Sequence, residues 1–206
     1  MISQLLIFPF NGNGLEALQC LGSNFEFVGF VDDTPEKHGK NELGFEVFDR
    51  QAFADFPNAK VLAVPGGPSS FQLRKKIIAE LRLDPRRFAN VVSPAAVVSP
   101  YAKIGLNVLV MPGVVITSNC TIGDHVCILP NSVIHHDAKI GGYTLIGSNV
   151  VIAGATNIGE GCYIGSGSSI INGISVGNGC LVGMGTNVIK SVSDNSKLVG
   201  NPARVL

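Results

Sequence analysis

Tryptophan is absent from this 206-residue chain, and charge is scarce: Asp, Glu, Lys and Arg together make up 15% of it, fifteen of each sign. A net charge of zero leaves no basic face for nucleic acid or an anionic membrane. Hydrophobic residues reach 46%, so the shortage of charge does not signal disorder. Long apolar runs are missing as well. None approaches the roughly 18 residues of a membrane-crossing helix, which argues against membrane insertion. The opening stretch from Met1 to Phe10 has no basic segment and no cleavage-site pattern. It reads as a first strand rather than a secretory signal, and the expected compartment is cytoplasmic. The five cysteines show no metal-ligand spacing, so no metal is expected. Aromatics are few and uneven. All eleven Phe lie between Phe8 and Phe88, and the three Tyr stand at 101, 143 and 163. Two halves with different packing are implied, meeting near residue 90.

What fills the second half is a six-residue period. From Val92 to Val188 every sixth residue is Ile or Val, seventeen positions out of seventeen. Ile and Val account for 41 of 206 residues, so chance agreement in one fixed register is on the order of 10⁻¹². The residue four places further on is small or short, from Ala96 and Ala102 through Cys120, Ser132, Thr144, Cys162 and Thr186, with Ile174 the one exception. Gly often follows the large residue, as at Ile104, Ile122, Ile140, Ile146, Ile158 and Ile164. A helical period of 3.6 cannot give this pattern. A large apolar residue, a tight turn and a small inward residue describe one side of a coil, and stacked coils make a β-solenoid. Cys120, Cys162 and Cys180 take the small inward position and are expected to be reduced core residues.

Residues 1–91 read as alternating strands and helices, an α/β unit with a parallel sheet. Strands are expected over 4–10, 25–31 and 60–64, a short helix over about 12–21, and a helix over 71–81 capped by Ser69 or Ser70. Gly12-x-Gly14-x-x-Ala17 follows the first strand, and Asp32 stands twenty residues after Gly12. Such glycines let a backbone approach phosphate, and an acid at that distance can accept from a ribose hydroxyl. A tight turn with a helix cap gives the same residues.

Hexads such as Ile-Gly-Asp-His-Val-Cys, Ile-Gly-Glu-Gly-Cys-Tyr and Val-Gly-Asn-Gly-Cys-Leu resemble the hexapeptide repeat of acyltransferases built on a left-handed β-helix. With three hexads per eighteen-residue coil, the resemblance implies five to six coils, a homotrimer, and an acyl-CoA site between neighbouring helices. A Rossmann-like nucleotide domain followed by such a helix resembles the bacterial sugar acyltransferases of the bacillosamine, perosamine and sialic-acid types. The fold class expected is therefore an α/β N-terminal domain (1–91), an all-β left-handed parallel β-helix (92–190) and a tail near CoA (191–206).

By that resemblance the protein is an acetyl-CoA-dependent N-acetyltransferase of a nucleotide-linked amino sugar of the 4-amino-4,6-dideoxy type, serving surface-glycan synthesis. Gly12, Asn13, Gly14, Asp32, Asp33 and Gly66 match the segments that bind the nucleotide. In Ile134-His135-His136-Asp137, His136 matches the general base and Asp137 the acid that orients it, with Asp where the family has Glu. A sugar amine must lose a proton as it attacks a thioester, and an imidazole steadied by a carboxylate can take it. His135 is the competing base. His38 is expected to be solvated, and His125 to sit at a coil turn.

Eighteen-residue coils place His136, Gly154 and Asn172 in one column and Ser148, Ser166 and Met184 in another. Ala153-Gly154 matches the family's backbone approach to the thioester, with a backbone N–H as oxyanion donor. Ser166 and Met184 match positions that touch the pantetheine arm. Pro202 and Arg204 belong to a closing segment that packs near CoA, and Arg204 is placed to meet a CoA phosphate. Leu145 stands where relatives often carry a second His. That departure leaves three readings open: backbone N–H carries the oxyanion alone, the acyl group is longer than acetyl, or the chain is a sugar-binding trimer that has lost its chemistry. A sugar O-acetyltransferase is a further alternative, because the same base would serve a hydroxyl.

Overall fold

The computed structural model describes residues 2–206; Met1, where the opening stretch begins, lies outside the described residues. In the first half, strands β1 (Ser3–Phe8), β2 (Phe25–Val31), β3 (Gly39–Lys40), β4 (Glu46–Phe48) and β5 (Lys60–Ala63) form one sheet in the order β3-β4-β2-β1-β5. All pairs are parallel except β3 with β4. The expected parallel sheet is present, extended at its edge by the short antiparallel β3–β4 hairpin. β1 ends at Phe8 rather than Phe10 because Pro9 has no N–H for the ladder.

Helix α1 (Gly12–Ala17) starts where Asn11, in extended conformation, accepts a hydrogen bond from the Gly14 N–H at 2.8 Å. A four-residue helix α2 spans Ala52–Asp55. The helix expected over 71–81 is a 3₁₀ turn at Phe71–Leu73 leading into α3 (Arg74–Ala79). Ser70 does not cap it. Its backbone (φ −133°, ψ 6°) is not in the extended capping conformation, and its hydroxyl accepts from the Gly67 N–H at 3.1 Å instead.

From Val91 onward the chain winds into three sheets of two-residue parallel strands, with the three-residue Lys197–Val199 and the antiparallel Arg204–Val205 closing one of them. Partners are eighteen residues apart throughout the regular coils, as in Ile116↔Ile134, Ile122↔Ile140 and Ile128↔Ile146. Every Ile or Val of the six-residue series from Val110 to Val188 is at most 3% exposed, each worth about 1.5–3 kcal/mol of transfer free energy. Val92, Val98 and Ile104 are less covered because no coil precedes them. Four of the inward polar residues are satisfied by the backbone of the next coil, whereas the buried Thr186 hydroxyl has no hydrogen-bond partner among the described residues. Ser132, Thr144, Thr156 and Ser168 donate to the carbonyls of Gly147, Gly159, Ile171 and Gly183 at 2.7–3.0 Å. The thiols of Cys120, Cys162 and Cys180 make the equivalent contact at 3.0–3.1 Å, so the expected inward cysteines are found.

From Asn107 to Gly185 the third residue of each corner has positive φ, at Asn107, Asn119, His125, Asn131, Asp137, Tyr143, Asn149 and Ala155 and at glycines elsewhere. Asn, Asp and Gly tolerate this left-handed conformation best, which explains their recurrence there.

The coil's three sides differ. The first (Val91, Leu109, Cys127, Leu145, Tyr163, Leu181) packs against the α/β half. There Leu109, Cys127 and Leu145 share a core with Leu5, Ile7, Ala17 and Phe30. The second presents Val97, Val115, Val133 and Val151, and the third presents Lys103, Thr121, Lys139, Asn157 and Ser175.

Polar bonds lock the halves together. Asn107 gives its amide oxygen to the Ala63 N–H (2.7 Å) and its amide N–H to the Ala63 carbonyl (2.8 Å), extending the free edge of β5. Its Nδ2 also lies 2.9 Å from His125 Nδ1. The His125 ring stacks on Tyr143 (4.6 Å between centroids) and meets the edge of Phe88 (5.2 Å). Burial lowers the pKa of His125; Asp124 opposes this and the Arg74 charge adds to it. The unfolded chain therefore binds a proton near pH 6.5 that the folded chain resists. Stability is expected to be flat above that pH and to fall as pH drops below it toward the lower folded value. Urea midpoints between pH 7.5 and 5 test this. The slope should flatten in His125→Asn, which suits the left-handed corner, and an unchanged slope would contradict the assignment.

Candidate active site

The corner between the coil's second and third sides carries the chemistry-bearing residues. His136 is the second residue of one such corner and Asp137 the third. His136 Nδ1 lies 2.8 Å from Asp137 Oδ2. With a carboxylate at Nδ1, the Nδ1–H tautomer is favoured and Nε2 is left with its lone pair. The hydrogen bond from His136, then that from Asn119, holds the Asp137 carboxyl below the usual carboxylate range. Both side chains are more than half exposed (64% and 53%), as a base that must meet a substrate requires. His135 beside them donates its N–H to Ile152 and has no carboxylate partner among the described residues.

Gly154 stacks in the next coil, as the eighteen-residue period demands. A Cβ on it would lie 2.6 Å from both Cε1 and Nε2 of His136, so the imidazole rests on the glycine backbone. The Ala153 N–H is committed to the Ile170 carbonyl at 3.0 Å. The Gly154 N–H makes no hydrogen bond among the described residues. The side chain of Gly154→Ala would push the ring off Asp137 without burdening the coil. That variant should lose about tenfold or more in kcat with an unchanged circular dichroism spectrum and melting temperature. Undiminished kcat would show that the ring position does not matter.

The second column is at another corner, between the first and second sides. There Ser166 Oγ accepts from the Ser148 N–H at 3.0 Å, and Met184 is 76% exposed. Within one chain these residues are not beside His136; the two columns border the second side from opposite edges. In the tail, Lys197–Val199 pairs with Leu181–Val182 and Arg204–Val205 folds back on it. Pro202 borders an apolar cavity of about 290 Å³ with Val188, Val192 and Leu198. Arg204 is exposed and has no ion pair among the described residues.

In the α/β half, Gly12 and Asn13 meet Gly66, Gly67 and Pro68 across a cleft of about 240 Å³ whose far wall is Leu129, Leu145 and Tyr163 of the coil. Gly14 lies beneath it. Its Cβ would come 2.6 Å from the Pro9 carbonyl oxygen, so this glycine permits close helix–strand contact. Gly66 needs its positive φ (+100°) and leaves room for Arg74.

Asp32 and Asp33 do not present free oxygens to the cleft. The buried Asp32 accepts from the N–H groups of Phe10 (3.0 Å) and Thr34 (2.9 Å) and from Lys37 Nζ (2.9 Å). Burial raises its pKa, but the bonds from Lys37 and Thr34 outweigh this and leave it below the usual carboxylate range. Asp33 is held by Arg50 through two bonds of 2.6 and 2.8 Å. Neither lysine nor arginine partner is signalled by sequence spacing. His38 is exposed as expected, yet its Nε2 lies 2.8 Å from the Asp32 carbonyl. Leu145 is buried against the α/β half and, within one chain, lies on a different side of the coil from His136. Among the described residues no group of three or more His, Cys, Asp and Glu is gathered for a metal ion, and no helix is long and apolar enough to cross a membrane.

Residues 101–136 and 119–154 match the family described as bacterial transferase hexapeptide (six repeats). No curated protein matches the chain. Among solved structures, the perosamine N-acetyltransferase PerB of Caulobacter crescentus, in complex with CoA and GDP-perosamine, is 25% identical over 99% of this chain and 97% of its own, with a TM-score of 0.84. WeeI of Acinetobacter baumannii AYE is 26% identical over the full length of both chains, with a TM-score of 0.82. The acetyltransferase domain of PglB from Neisseria gonorrhoeae FA1090, in complex with acetyl coenzyme A, is 24% identical over both full lengths with a TM-score of 0.86, a likeness of fold. These likenesses make the coil a left-handed β-helix of the hexapeptide type.

Proposed function

We propose that this chain, which carries the hexapeptide coil of the bacterial transferases along its second half, is an acetyl-CoA-dependent N-acetyltransferase of a nucleotide-linked amino sugar. The observation that carries this reading is the His136–Asp137 pair with its imidazole resting on Gly154. The full-length likeness to a protein seen with CoA and GDP-perosamine supports it.

The amine nitrogen attacks the thioester carbonyl and forms a C–N bond. His136 Nε2 takes the proton, Asp137 steadies the resulting imidazolium, and the Gly154 N–H faces the oxyanion. Collapse breaks the C–S bond, and the proton passes from His136 to the CoA sulfur. The transfer is direct. The cysteines are buried thiols, with burial pushing Cys20 up to about 11 and Cys127 and Cys162 up to about 12, so none is an activated nucleophile.

Residues 1–91 hold the nucleotide sugar in the cleft of Gly12, Asn13 and Gly66. Gly14, Asp32 and Asp33 shape that cleft from behind. Residues 92–190 form the acyltransferase coil, and Ser166, Met184, Pro202 and Arg204, the last two in the tail 191–206, contact CoA. The protein acts as a cytoplasmic homotrimer. The apolar second side, with Val97 63% exposed, supports burial against neighbouring copies, and such packing would bring a neighbour's Ser166 column toward His136.

Thiol release from acetyl-CoA, measured with UDP-, dTDP- and GDP-linked 4-amino-4,6-dideoxy sugars, tests the reading. Release that needs one of these sugars supports it. Release only with a hydroxyl acceptor or a longer acyl-CoA would replace it with the O-acetyl or long-acyl alternative. Sugar binding without any release would leave a binding trimer.

A further inference from the structure

Asp137 has two carboxylate oxygens, and only Oδ2 faces His136. The other, Oδ1, accepts a hydrogen bond from Asn119 Nδ2 at 3.3 Å. Asn119 stands eighteen residues earlier, in the same corner position one coil away, and both residues have φ near +60°. Stacked strands lie about 4.8 Å apart, so a short amide in one corner can reach the short acid in the next. The residues one and two coils further along this column are Ala155 and Gly173, which have nothing to offer Asp137.

We infer that Asn119 is a positioning residue for the transfer: it fixes the Asp137 carboxylate plane so that Oδ2 stays on His136 Nδ1 and Nε2 stays aimed at the acceptor. An exposed carboxylate rotates freely about its last bond unless its second oxygen is held. Here that hold comes from the preceding coil rather than from a bulkier side chain. The inference rests on the reading of His136 as the base. The left-handed corner alone would also favour Asn, so the test must separate backbone from amide.

Asn119→Gly does so, because glycine accepts the conformation and removes only the amide. It should lower kcat by about tenfold, leave KM for both substrates and the melting temperature unchanged, and cause no further loss in an Asp137→Ala background. Asn119→Asp adds a negative charge beside the pair and should move the acid limb of the kcat profile to higher pH. Asn119→Gln, longer by one methylene, should restore less than half of the wild-type rate. A wild-type kcat in Asn119→Gly while His136→Ala is inactive would overturn this inference alone. An active His136→Ala would overturn the underlying reading. Equal losses from Asn119→Gly with and without Asp137 would make the role of Asn119 independent of the pair and also overturn it.

Discussion

His136→Ala should lower kcat by about 10²–10⁴-fold while leaving the melting temperature and nucleotide-sugar binding intact, because it removes a general base and little else. The residue is 64% exposed and, among the described residues, its one side-chain hydrogen bond is to Asp137, so the coil core loses nothing. The residual rate should rise with pH, as solvent comes to supply the base. His136→Asn should be equally slow, since an amide can hydrogen-bond to Asp137 but cannot take up a proton. Asp137→Ala should fall between wild type and His136→Ala, with the imidazole present but unaligned. Rates within threefold of wild type in His136→Ala would remove this residue from the chemistry. His135→Ala would then be the next variant to measure.

Arg74→Met should cost about 3 kcal/mol or more of stability. Arg74 is fully buried, yet no carboxylate pairs with it among the described residues. Its guanidinium instead donates to three backbone carbonyls: Tyr143 at 3.0 Å, His125 at 2.7 Å and Pro65. Burial works against its charge, and the carbonyl dipoles are what compensates. Methionine fills similar space but strands three buried acceptors. A loss of this size is a large share of a typical total of 5–15 kcal/mol. Two of the carbonyls lie in coil corners and the third precedes Gly66, so the substitution should also loosen the cleft and weaken nucleotide-sugar binding. Urea unfolding and sugar titration on the same variant give both readings. A change below about 1 kcal/mol would mean that the carbonyls find water or other donors.

Much of the fold was legible because each coil side is only six residues long and obeys one rule. Ile or Val must enter the core, and the residue four later must be small enough for the corner. Taken with the three-hexad coil that the family resemblance implies, that periodicity also puts His136 over Gly154. The acid next to the base was legible through a family resemblance, and the reason Asp fits there, a left-handed corner, emerged only from the backbone. Asn119 carried a usable signal, the eighteen-residue offset from Asp137, but a neutral amide announces no chemistry until its partner is known.

The α/β half was less legible. Its strands came within a few residues of their ends, whereas the helix after Ser70 is shorter and uncapped, and Asp32 and Asp33 turned out to be satisfied by Lys37 and Arg50. Those partners sit five and seventeen residues away with no repeating spacing, so nothing local could assign them. By itself the sequence determined the repeat and the inward faces, since a strict six-residue period sends every sixth side chain the same way; the columns also needed the eighteen-residue coil, which the family resemblance implied and the strand pairing displays. Only the tertiary structure decided which side of the coil the first half covers, and therefore where Leu145 lies and which carbonyls Arg74 joins. Those contacts are made between segments of unrelated period, where side-chain shape and unsatisfied backbone groups select the partner.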